Sequence, residues 1–410
     1  MMRASLGTLV AAGLLAVSLA AGAADADSKA QTVRPQVGKP LTEAQADIQA
    51  KKYADALTKL DEAAAVEKLT AYESYVIARM RASATLGTGD DAAALIAYKA
   101  VLDRPELVGD DKQAVLDTVA RLSYAGKDYA KAAEYAKAYR AAGGTDAQMP
   151  LILAQALYLS DDYADAEHEL LAQFEQMQQA GQTPPELPLR LYMSCAVKQN
   201  DKTVYRDALR RLVTYYPSAD LWQELITHTV AQPGFSNRLL LDMYRLKAAT
   251  DTIDNADEYE DAAQLALAAG LPGEAQQYID QGYAKGLLGA GPRAVKDKSL
   301  KAAVTAKITE DKRTQAEGES AAAKLKSGDA LINTGLNYVG YGQYDKGIAL
   351  MQQGIDKGHL KAPDDANLHL GYAQMRAGKT ADAAASFKSV SGQDGGASLA
   401  QLWMLVKPAR

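Results

Sequence analysis

The sequence predicts an all-α fold made of stacked antiparallel helix pairs, and three observations carry that prediction. A motif of an aromatic or turn residue, two further residues and Ala recurs along the chain, as Tyr53-Ala-Asp-Ala56, Asp91-Ala-Ala-Ala94, Tyr129-Ala-Lys-Ala132, Tyr163-Ala-Asp-Ala166, Tyr205-Arg-Asp-Ala208, Pro272-Gly-Glu-Ala275, Tyr344-Asp-Lys-Gly347 and Thr380-Ala-Asp-Ala383. A second small residue stands twelve positions before the end of nearly every copy: Ala82 with Ala94, Ala120 with Ala132, Ala154 with Ala166, Ala263 with Ala275, Gly335 with Gly347. The third observation is composition: of 410 residues 48% are hydrophobic, yet only 3 are Phe while 22 are Tyr, which suits many small helix contacts better than one bulky core. Gly inside a helix costs about 1 kcal/mol relative to Ala, so Gly335, Gly347 and Gly371 need a reason, and close approach of two helix backbones supplies it.

The chain opens on Arg3, an apolar run from Leu6 to Ala21 and the small residues Ala21-Gly22-Ala23. That is the pattern of a secretory signal peptide, residues 1–23, cleaved after Ala23. Residues 24–41, with Arg34-Pro35 and Lys39-Pro40, show no apolar period and are expected to be a flexible lead-in. An N-terminal array follows over 42–286, with pairs near 42–65, 69–103, 110–141, 146–180, 184–216, 218–250 and 256–285. Gly89-Asp90, Gly126-Lys127, Asp161-Asp162, Asn200-Asp201 and Gly270-Leu271 mark turns inside pairs, and Gly143-Gly144 and Thr183-Pro184-Pro185 mark turns between them. Short local connections of this kind favour a stacked array.

Residues 287–326 break the rhythm. After Gly289-Ala-Gly291-Pro292 the stretch is rich in Ala, Lys, Asp and Glu, and it predicts a long, largely exposed helix or a degenerate repeat. The last section, 327–410, holds two pairs over 327–357 and 362–391, and Leu399, Leu402, Trp403 and Val406 recur at helical spacing as a capping helix.

In the last two pairs Leu331, Thr334, Gly335, Tyr338, Gly342, Tyr344, Gly347 and Met351, then Leu370, Gly371, Gly378, Ala383 and Phe387, follow the tetratricopeptide repeat (TPR) pattern of Trp-x2-Leu-Gly-x2-Tyr, then Ala-x3-Phe, then Pro. Over residues 42–391 the chain resembles that family, although the closing Pro is usually absent or shifted. The resemblance implies a right-handed superhelical solenoid in which the first helix of each pair lines the concave face and a protein or peptide partner is held there. It places Ile332, Asn333, Leu336, Tyr372 and Arg376 on that face as candidate partner-binding residues.

Chemistry is expected elsewhere only weakly. His168, His228, His359 and His369 lie far apart and outside any metal-ligand spacing, and neither a Gly-x-Ser-x-Gly elbow nor a phosphate-binding Gly-x4-Gly-Lys loop occurs, so no cofactor or metal is expected. Cys195 is the single cysteine and reads as a buried small hydrophobe. The acid pairs Asp90-Asp91, Asp110-Asp111, Asp161-Asp162 and Asp364-Asp365 each open a predicted helix and read as caps. A net charge of −6 with Lys and Arg dispersed argues against nucleic acid, and no later window is long and apolar enough to span a membrane. The expectation is a non-enzymatic, exported scaffold for protein–protein interaction in a bacterial envelope, periplasmic or secreted. The alternative is a solenoid enzyme or receptor acting on envelope glycans through acids on facing helices.

Overall fold

A computed structural model describes residues 32–407. The expected leader, its cleavage site and residues 24–31 of the lead-in lie outside the described residues. The chain forms two compact units, one ending at Asp201 and the other beginning at Lys202. Composition marks changes at 287 and 326 instead, and the residues read as one pair over 184–216 fall on both sides of that division.

The first unit contains α1 (Pro35–Gln49), α2 (Tyr53–Ala64), α3 (Ala71–Gly87), α4 (Asp91–Leu102), α5 (Gly109–Ala125), α6 (Tyr129–Ala141), α7 (Met149–Leu159), α8 (Tyr163–Gln179) and α9 (Glu186–Gln199). Each helix packs on the next, so pairing is local throughout. Asp90, Asp128 and Asp162 cap α4, α6 and α8 by accepting from the backbone N–H three residues on. The residue before each cap turns the chain through the left-handed region: Gly89 at φ 84°, Lys127 at 62° and Asp161 at 65°. Asp111 and Asp365 depart from the capping expectation. Asp111 accepts from Arg79 of α3 at 2.5 Å, and Asp365 accepts from Arg238 across the second unit.

Over residues 35–41 helix α1 corrects the reading of a flexible lead-in. Pro35 occupies the first turn, where its missing N–H is not needed. Val37, Leu41 and Ala44, four and three residues apart, bury one face. The element is fixed from outside by Arg34, whose Nε and Nη2 donate to Glu73 at 2.9 and 2.8 Å and whose backbone N–H donates to the same carboxylate at 2.9 Å. Glu73 is fully buried and completes a capping box with Thr70 at the start of α3. The period is hard to see in the sequence because Pro40 interrupts it.

The second unit contains α10 (Lys202–Tyr215), α11 (Ala219–Val230), α12 (Leu240–Ala249), α13 (Ala256–Ala268), α14 (Pro272–Ala284), α15 (Ala294–Lys324), α16 (Asp329–Gly340), α17 (Tyr344–Lys357), α18 (Pro363–Arg376), α19 (Thr380–Lys388) and α20 (Gly396–Trp403). Helix α15, 31 residues and about 46 Å long at 1.5 Å per residue, does not interrupt the stacking. Helices α14 and α16 meet directly: Gln277 donates to the Gly340 carbonyl at 2.7 Å, and a Cβ on Gly273 would stand 2.8 Å from the Tyr341 ring. Helix α15 lies beside them. Its Asp311, Gln315 and Glu319, one turn apart, bond Asn337, Tyr341 and Tyr338.

The other unpredicted feature is closure. Ser236 donates its backbone N–H to the Asp394 carbonyl at 2.8 Å, Arg238 pairs with Asp365 and Asp394, and α12 packs on α20. The first and last pairs of the second unit therefore touch.

The expected helix crossings hold. Ala82, Ala94, Ala120, Ala132, Ala154 and Ala166 are fully buried. A Cβ on Gly335 would stand 2.5 Å from the Gly347 carbonyl oxygen, and one on Gly347 would stand 2.6 Å from that of Gly335. Gly371 instead makes room for the Phe387 ring, at 2.5 Å from its Cβ position.

Two predictions follow from this packing. Gly335→Ala should lose about 1–3 kcal/mol through forced separation of α16 and α17, whereas Gly318→Ala, in open space on α15, should gain up to about 1 kcal/mol; urea unfolding followed by circular dichroism measures both. Arg34→Ala should lower the melting temperature at pH 7 by stranding Glu73. The Arg34 hydrogen bond holds the Glu73 carboxyl down at about 2 against an ordinary 4.5. Its contribution is complete above the unfolded value and is lost as the pH falls towards 2, so parent and variant melting temperatures should converge in acid.

Candidate functional site

The five residues expected on a partner-binding face are not presented together. Ile332, Leu336 and Tyr372 are buried, at 5%, 4% and 4% exposure, and so are closed to a partner. Ile332 faces Gly354 in the crossing of α16 with α17, and Tyr372 packs on Trp403 and on the Arg245 guanidinium. Asn333 is exposed, and Arg376 stands at the rim of a cavity.

That cavity, about 260 Å³, lies between α12, α14 and α18, lined by Arg245, Glu274, Gln277, Tyr278, Tyr372 and Arg376, with Ala248, Ala249 and Gln281 completing its edge. Arg245 is 1% exposed and holds its floor together. Its Nε and Nη2 donate to the two oxygens of Glu274, both at 2.8 Å, and its Nη1 donates to Asp242 at 2.7 Å. The Tyr278 hydroxyl donates to Glu274 at 3.3 Å, and the His369 ring lies 3.1 Å from Asp242. The Arg245 guanidinium also sits 4.9 Å from the Tyr372 ring centre. Burial alone would raise the Asp242 carboxyl, yet His369 and Arg245 hold it well below its usual range. Burial and Glu274 push the Tyr278 hydroxyl far up, and burial takes Tyr372 to about 12. Among these residues the sequence analysis singled out only His369, Tyr372 and Arg376. Arg245, Asp242 and Glu274 carry no local signal, because a charged residue on a helix normally reads as solvated.

The first unit carries a different polar arrangement. On the first helices of successive pairs, half-buried side chains bridge neighbours. Tyr75 and Arg79 of α3 donate to Asp111 of α5. Arg121 of α5 pairs with Asp117 at 2.9 Å and Asp146 at 3.0 Å, and the Tyr124 hydroxyl donates to Gln155 of α7 at 3.1 Å. The second helices are linked separately, through Lys137 to Asp165 and Arg140 to Glu169.

Cys195 is fully buried, and burial, with the Glu167 charge, pushes its thiol up to about 12, the opposite of what a nucleophile needs. Glu73, Asp242 and Glu260 are lowered carboxyls, whereas a general acid needs a raised one. Among the described residues no group of three or more His, Cys, Asp or Glu could hold a metal ion, and no helix is long and apolar enough to cross a membrane.

Antiparallel pairs, tight crossings at small residues twelve apart and pair-on-pair stacking are now in view. The architecture is that of a TPR-like helical repeat. No family model and no curated protein matches the chain. Among solved structures, it is similar to the apo form of RapI, at 12% identity over 67% of this chain and 98% of that one with a TM-score of 0.29. It is also similar to yeast Tom70, at 11% identity over 89% and 88% with a TM-score of 0.26, and to the P58(IPK) TPR domain, at 16% identity over 84% and 99% with a TM-score of 0.25.

Removing the Arg245 guanidinium would strand two buried carboxylates. Arg245→Met should destabilise the second unit by about 3–5 kcal/mol, and adding Glu274→Gln should recover part of that loss. Urea titration of the single and double variants, read as a double-mutant cycle, measures the coupling.

Proposed function

We propose that this chain is an exported helical-repeat scaffold that binds a protein partner in the bacterial envelope, with the face formed by α3, α5 and α7 as its contact surface. The observation that carries the reading is the half-buried ladder of Arg79, Asp111, Arg121, Asp146, Tyr124 and Gln155. It offers both signs of charge and neutral hydrogen-bonding groups at repeat spacing along one face. In the family that the sequence resembles, the first helices of the pairs hold the partner. A pre-ordered row of this kind suits recognition, because side chains already fixed by neighbours lose little freedom on binding. The net charge of −6 favours a protein over nucleic acid. The leader-like residues 1–23 support export.

The test is to express the chain with its own first residues in a bacterium, recover it from the periplasm and cross-link it in place. The mature chain should begin at Ala24, and a discrete partner should be captured. Arg79→Glu with Arg121→Glu should reduce that capture at least about tenfold, while Lys137→Glu, on the second-helix face, should leave it unchanged. Retention in the cytoplasm would refute export, and equal capture by all variants would refute the assigned face.

A further inference from the structure

Two guanidiniums border the cavity of the second unit, and they differ in a way that points to a ligand. Arg245 is paired with two carboxylates. Arg376 has none among the described residues: its Nη1 donates to the Tyr372 hydroxyl at 2.9 Å, and its Nη2 donates to Gln277 Oε1 at 3.0 Å and to the Tyr344 hydroxyl at 3.2 Å. All three acceptors are neutral. An arginine carries five N–H donors and a charge that does not titrate near neutral pH, so this one keeps both spare donors and an uncompensated charge.

Its position is held firmly. The guanidinium lies 5.7 Å from the Tyr344 ring centre and 5.8 Å from that of Tyr372, and Gln277, which accepts from it, is itself anchored by donating to the Gly340 carbonyl. Glu274, the one carboxylate lining the cavity, already accepts from Arg245 twice and from Tyr278. It is committed to the floor and leaves the rim cationic. Gln281 lines the same cavity from an exposed position one turn beyond Gln277 and can donate through its amide.

We infer that this cavity binds a carboxylate, received by Arg376 at the rim with Gln281 beside it. The planar fork of a guanidinium matches a carboxylate in a two-point contact. A single such cation suits a singly charged group better than a phosphate dianion, which calls for more than one. At about 260 Å³ the space lies near the lower end of ligand pockets, suited to a short acid or to the last residues of a peptide and not to a nucleotide. The site is separate from the face assigned to the partner in the first unit, so either assignment can fail alone.

Calorimetric titration of the full chain tests it, with four probes: succinate, N-acetyl-glycyl-glycine, its C-terminal amide and inorganic phosphate. One or both acids should bind with a Kd of about 1 mM or tighter, and the amide should not bind. Arg376→Gln should weaken the acid at least about tenfold, with Arg376→Lys between it and the parent. Gln281→Ala, an exposed change that leaves the fold intact, should weaken it about threefold and decides the matter if Arg376→Gln melts early. Tighter binding of the peptide acid identifies a chain terminus as the source, and tighter binding of succinate identifies a free acid. No heat from either acid at about 10 mM, equal binding of the amide, preference for phosphate, or unchanged affinity in both variants would overturn the assignment.

Discussion

Removing a guanidinium from water is tolerable only where its donors meet carboxylates in good geometry, and at Arg245 that requirement shapes the second unit. Asp242 comes from one turn earlier on α12, Glu274 from α14, and the ring that packs on the guanidinium from Tyr372 on α18. Three helices distant in sequence are thereby brought to one point. His369 adds a second link from α18 to Asp242, 127 residues away. A purely apolar contact would tolerate sliding of α18 along α12 by a fraction of a turn. The bidentate pair fixes α14 against α12, because both oxygens of Glu274 are engaged at 2.8 Å, and the His369 contact to Asp242 fixes α18.

Such closure is possible only because the helix pairs are thin. Gly335 and Gly347 let α16 and α17 approach backbone to backbone, and Gly273 and Gly340 do the same for α14 and α16. Each larger side chain at these points would widen the stack and carry α18 away from α12. The scarcity of Phe and the abundance of Ala belong to this constraint: burial is spread over many small contacts, and the few bulky groups are reserved for places where small neighbours admit them. Phe387 fills the space that Gly371 leaves, and Trp403 stacks on Phe387 with ring centres 6.0 Å apart.

How much of this was legible in the sequence depends on the range of the interaction. A helix crossing is a local event between neighbours in sequence, so steric necessity leaves a mark at fixed spacing, and the pairs could be read from Ala and Gly alone. The long polar helix could be read too, since its lack of large apolar residues is a property of one segment. Closure of the second unit leaves no such mark. Arg238, Arg245, Asp242 and Glu274 look like surface charges until partners 29 to 127 positions away are placed beside them. That is why Tyr372, expected on an open face, is enclosed against the Arg245 guanidinium, whereas Arg376 lies at the edge of the same enclosure. Helix α1 was missed for a related reason, since its partner Glu73 lies 39 residues on.

The two units solve the same problem with opposite electrostatics. In the first, Arg121 and its acids remain about a quarter exposed and bridge adjacent pairs, so water and salt share in stabilising them and each pair is worth little on its own. A surface of that kind can exchange an internal partner for an external one at small cost. In the second, Arg245 is fully desolvated and cannot be exchanged without stranding its acids. Closure thus gives the second unit a rigid floor, and a rigid floor holds the aromatic rings that position Arg376. The uncompensated cation at the rim is tolerated because Tyr344, Tyr372 and Gln277 satisfy three of its donors, while the charge itself remains to be met from outside.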